Sequence, residues 1–224
     1  MDMSLKNIFR WSGIACVLSG VLFTLAYMVH PSQETPLTIL SMETRLVAGH
    51  WFFTLSFAFL LLGLPGLFVA QAEKAGWLGL ISFLMVFFGT VFFAVSNDFG
   101  FIAPVLAAHA PDMLDAINAY PPVIVTNALL AIGFILGFIL FGVGMLRAGV
   151  FPMQAGLLVA IGTPVNLIGG ALALTITPAL WVVAVLGALL LGSGLAWAGF
   201  WLWNGRVVIT YPQKGSSAFS EHAG

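Results

Sequence analysis

The charged residues of this chain are spaced so as to leave five long gaps. Residues 11–33, 46–72, 75–97, 116–146 and 148–205 contain no Asp, Glu, Lys or Arg. An α-helix needs about 20 residues to cross a hydrocarbon core of about 30 Å, and each gap reaches that length. The last is long enough for two crossings and a turn. Charged residues make up only 7% of the chain, against about 25% in an ordinary soluble domain. So few charges could not cover a soluble core of this size. The pattern predicts an all-α integral membrane bundle of about six transmembrane helices.

The spans are expected near 9–29, 46–70, 77–97, 122–146, 154–175 and 180–203, forming a single transmembrane domain over 1–205 with a polar tail at 206–224. The last two spans are divided at Thr175-Ile176-Thr177-Pro178, because proline lacks an N–H and disfavours helix in the residue before it. At the N-terminus, Lys6 and Arg10 precede an apolar stretch that runs from Trp11 to Val29. It is longer than the 7–15 residues or so of a signal peptide's apolar region, and no A-x-A closes it, so it reads as the first membrane helix.

Orientation follows from the basic residues. With six spans, Lys6, Arg10, Lys74, Arg147, Arg206 and Lys214 fall on one side and only Arg45 on the other. The positive-inside rule makes the first side cytoplasmic, giving N-in and C-in and a cytoplasmic tail. The longest outer segment, 98–121, includes Ala110-Pro111-Asp112-Met113-Leu114-Asp115, which suits a short helix along the outer surface. The tail is polar and contains Gly and Ser, and is expected to lack fixed structure at its end.

Gly133 and Gly137 form a G-x-x-x-G, and Gly162, Asn166, Gly169 and Gly170 share one helix face. Small residues of this kind let membrane helices approach closely; the reading is packing within the bundle, with homo-oligomerisation through Gly133 and Gly137 as the alternative.

Polar side chains within a membrane are costly and are functional candidates by default. His50, Asp98, Asn127 and Asn166 all fall in the outer part of the bundle when depth is counted at about 1.5 Å per residue. They are the candidate ligand-binding residues, and Asp98 is expected to pair with His50. The competing reading is that each bonds a neighbouring helix.

Several chemistries find no support. His30 precedes Pro31 in what should be loop, which leaves His50 without a membrane histidine to pair with, so neither haem nor another metal centre is expected. No cofactor or catalytic residue is assigned. The single cysteine, Cys16, permits no intramolecular disulfide, and a net charge of −1 provides no basic surface for nucleic acid.

The run from Val47 to Gly79, Ala103-Pro104-Val105-Leu106 with Ala110-Pro111, and LFGVGMLRAGVFP from Leu140 to Pro152 are similar to stretches in a group of uncharacterised bacterial multi-pass membrane proteins. The resemblance implies a bacterial cytoplasmic (inner) membrane and the same helical architecture. It implies no activity. The functional expectation is a non-enzymatic protein that contacts membrane lipids and binds a small or lipidic ligand through an outer-facing cavity. The alternatives are a small-solute transporter or channel, and a membrane enzyme acting on a lipid or isoprenoid.

Overall fold

The computed structural model describes residues 5–207, and the tail from residue 208 onward lies outside the described residues. Among the described residues there is no strand. Helix α1 spans Leu5–Val29, α2 Pro36–Ser41, α3 Glu43–Asn97, α4 Phe99–His109, α5 Asp112–Asn118 and α6 Pro121–Ala131. A π-turn over Ile132–Leu136 leads into α7, Gly137–Ala148. Helix α8 spans Met153–Thr175, and a 3-10 turn at Pro178–Leu180 precedes α9, Trp181–Trp203. Among the described residues, five helical stretches are long and apolar enough to cross a membrane. The chain is an all-α membrane bundle.

The longest helix consists of two limbs. Gly76 adopts φ 56° and ψ −143°, a backbone conformation that L side chains avoid and glycine tolerates. Phe68 stacks on Phe83 with 4.5 Å between ring centroids, and Phe57 meets Phe93 at 4.7 Å. Limbs 43–75 and 77–97 therefore run antiparallel, and the second returns to the level at which the first began.

Close backbone approach holds the helices together. Gly13 and Gly20 of α1 face Gly199 and Gly192 of α9, and a Cβ on either Gly20 or Gly192 would strike the partner's carbonyl. Where lipid removes the hydrophobic drive for association, such contacts supply van der Waals energy in its place. Gly133 and Gly137 pack on the second limb of α3, at Gly89 and Val86, so this stripe is occupied within the chain. The regular helix expected over 122–146 is interrupted beside that contact by the π-turn. Gly162 and Gly169 meet α9, whereas Gly170 faces open space and leaves the stripe expected for it.

Two cores result. The larger contains Phe23, Phe53, Phe57, Phe93, Phe134 and Phe138, whose rings interlock across α1, both limbs of α3, the π-turn and α7. The smaller joins Ile39, Leu46, Ala103, Ala107 and Leu114 into a cap over one end of the bundle. Asp112–Asn118 is the short helix expected in the long outer segment. Phe99–His109, in the same segment but without a helix expected for it, is also helical despite Pro104, because Ala103 and Ala107 give it an apolar face to bury.

Candidate site at the capped end of the bundle

Helix α1 ends without a glycine cap, and its last carbonyls are satisfied from other helices. Trp181 of α9 donates its indole N–H to Tyr27 O at 3.0 Å, and Arg45 of α3 donates Nε–H to Val29 O at 3.1 Å. These two donors pin the end of α1 against the start of the first limb of α3 and of α9. His30, the next residue, is thereby held inside the bundle; it is only 7% exposed, as is His50.

The two imidazoles approach each other edge-on, with Nε2 to Nε2 at 3.2 Å and ring planes at 71°. The expectation that His50 has no histidine partner is therefore wrong. His30 lies directly beyond α1, whose end is fixed beside the first turns of α3, so two residues twenty positions apart meet. Glycines make room for both rings. Gly49 lies against His30, and a Cβ on Gly100 of α4 would land on the His50 ring.

Hydrogen bonds determine which ring nitrogens carry protons. Asn97 Nδ2 donates to His50 O at 3.1 Å and to Thr54 Oγ1 at 2.8 Å. With its amino end facing two oxygens, Asn97 turns Oδ1 toward His50 Nδ1, 2.7 Å away. His50 Nδ1 is consequently the donor. His30 Nδ1 lies 2.7 Å from Pro31 O and can only donate to that carbonyl. In neutral rings both Nε2 atoms are then unprotonated, with their lone pairs directed at each other.

Glu34 completes the group. One carboxylate oxygen lies 3.5 Å from His30 Nε2, and the side chain is 42% exposed at the rim. One ligand atom from each of His30, Glu34 and His50 lies within 4.8 Å of the others. Burial, then the charge of His50 and that of Arg45, push the His30 imidazole down to about 4 against the opposing hydrogen bond of Pro31. It is neutral at ordinary pH. Partial removal from water raises the Glu34 carboxyl, while His50 opposes that rise.

The group lines a cavity of about 300 Å³ that also includes Tyr27, Phe53, Phe93, Asn127 and Trp181. A second crevice of about 330 Å³ adjoins it, shares Tyr27, Phe93, Leu130 and Trp181, and extends along Thr163, Asn166 and Leu174. Tyr27 stacks on Trp181 at 5.4 Å between the two spaces.

The four sequence candidates therefore separate. His50 is central. Asp98 is exposed, and Asn97 takes the place expected for it, because adjacent helical residues point about 100° apart and cannot share a face. Asn127 stands at the cavity rim, where its Oδ1 accepts from Ser96 at 3.5 Å. Asn166 faces the interior as expected, but its Nδ2 donates to Ala184 O at 2.8 Å and it lines the second crevice. His30, Glu34 and Asn97 were not among the candidates. The signal that could have found them was the shortness of the segment between α1 and α3, which forces its two flanking histidines together.

The chain matches no family model, no curated protein and no solved structure.

Proposed function

We propose that this chain is a multi-pass protein of a bacterial cytoplasmic membrane that crosses it six times and binds a small ligand in a cavity open to the outer side. Six crossings follow from counting the two limbs of α3 separately. The exposed Lys6, Arg10, Lys74, Arg147 and Arg206 lie toward the end of the bundle opposite the cap, which supports placing both termini in the cytoplasm. The bacterial assignment rests on the resemblance noted in the sequence.

One observation carries the ligand reading. His30, His50, Asn97 and Glu34, drawn from α1's end, both limbs of α3 and the first outer segment, converge on one cavity of about 300 Å³. Concave spaces with a few convergent polar groups and a perturbed titratable residue are the default sites for small molecules. Beneath it the rings of Phe23, Phe53, Phe57, Phe93 and Phe134 fill the bundle. That aromatic floor favours binding from one side over a conducting path.

Native mass spectrometry of protein released from membranes without harsh delipidation tests the reading. The wild type should carry a ligand of reproducible mass that Gly100→Ala loses. A wild type that carries nothing, or a variant that retains the same ligand, refutes it.

A further inference from the structure

We infer that His30, His50 and Glu34 form a binding site for a divalent transition-metal ion of the zinc class, with a further coordination position facing the cavity. The inference rests on the ligand reading of the same cavity and names the chemistry of what it takes.

The tautomers make the case. Two unprotonated nitrogens 3.2 Å apart repel each other unless something positive lies between their lone pairs. The surrounding hydrogen bonds fix both rings in this arrangement, and glycines at 49 and 100 permit it. A proton shared between the rings would charge one of them; a metal ion resolves the conflict while both stay neutral, because neutral imidazole binds zinc through the nitrogen that carries no proton.

Distances agree. With metal–nitrogen bonds of about 2.0–2.1 Å, a nitrogen separation of 3.2 Å corresponds to an angle of about 100° at the metal, near the tetrahedral value. Ligation from opposite sides of a haem iron would need roughly 4 Å, twice that bond length, and is excluded by the same measurement. Glu34, exposed and free to rotate, needs only a side-chain movement to bring its oxygen from 3.5 Å to bonding distance.

The supporting bonds match what metal-ligating histidines use. Each ring donates its other N–H to a carbonyl oxygen, that of Pro31 for His30 and that of the Asn97 side chain for His50. Such partners fix the tautomer and raise the basicity of the ligating nitrogen. Two imidazoles and one carboxylate select zinc, cobalt, nickel or copper over magnesium or calcium, which prefer all-oxygen sites. Three protein ligands leave one position of a tetrahedron, and the cavity is where it opens.

Cobalt(II) titration of untagged, chelator-stripped protein in detergent tests the site, since tetrahedral cobalt absorbs in the visible. We expect one cobalt per chain, displaced by zinc. His50→Gln should abolish the spectrum. Glu34→Gln, at the exposed rim, should fold normally and weaken binding at least tenfold, while His109→Gln leaves it unchanged. Absence of cobalt binding by the wild type, or unaltered affinity in both His50→Gln and Glu34→Gln, overturns the inference. If native mass spectrometry still finds an organic ligand while cobalt fails, the metal site falls and the cavity reading stands.

Discussion

His50 Nδ1 lies 2.7 Å from Asn97 Oδ1, and that bond decides what the opposite edge of the ring can do. It joins the two limbs of α3 across the hairpin and leaves Nε2 free toward His30. Because Asn97 also donates to His50 O and to Thr54 Oγ1, its amide is locked from both ends.

Asn97→Leu should therefore lower cobalt affinity by about 10–100-fold, the usual cost of losing a partner behind a metal ligand. Thr54→Val removes one acceptor from the amide but leaves Oδ1 in place, and its effect should be much smaller. Cobalt titration of both variants checks this. Equal losses would mean that the amide does not set the ring.

Gly100→Ala probes the same ring from the other side. The added Cβ overlaps the His50 imidazole, which is buried and cannot swing away freely. Overpacking of this kind costs about 1–3 kcal/mol, so the melting temperature in detergent should fall and cobalt binding should be lost. Gly144→Ala makes the matched control, because a Cβ there meets nothing within 4 Å. It should change the melting temperature little.

The α1–α9 interface makes a separate prediction. Gly20 and Gly192 are in reciprocal backbone contact, so Gly20→Val must push the helices apart. The Tyr27–Trp181 stack and the indole bond to Tyr27 O lie further along the same helix pair and should loosen with it. A lower melting temperature with quenching or red shift of tryptophan emission is expected. Normal stability would show that the contact contributes little.

Much of this architecture is written in the placement of charge. Spans bounded by Arg10, Arg45, Lys74, Asp98, Arg147 and Arg206 emerge within a few residues of the observed helices, because apolar length is a direct physical requirement of the membrane. Gly76 marks the hairpin turn because a positive φ needs glycine there. His50 and Asn166 both turn inward, as their small-residue faces suggest.

Azimuth is not legible where no such face marks it. Whether Asn97 or Asp98 meets His50 depends on about 100° of rotation, set by how the limbs pack and not by local pattern. His30 was hidden for a different reason. Its neighbour Pro31 suggests a loop at the surface, yet the loop is folded under the cap formed by α2, α4 and α5, and only tertiary contacts bury it. The helix at Phe99–His109 was missed by the same logic, since its two buried alanines signal nothing until the surface they cover is known.

Asn166 offers the test that separates structural polarity from function. Its amide bonds Ala184 O across the α8–α9 interface, and Gly187 packs directly on its backbone. Hydrogen bonds between membrane helices contribute about 0.6 kcal/mol on average and up to about 2. Asn166→Leu should therefore destabilise modestly, by about that amount together with some strain from the branched side chain. Cobalt affinity should be unchanged, because Asn166 lines the second crevice and not the cavity that His30, Glu34 and His50 line. Unfolding followed by steric trapping in bicelles measures the first quantity, and cobalt titration the second. A loss of metal binding at preserved stability would join the two spaces into one site and return Asn166 to the ligand-binding group.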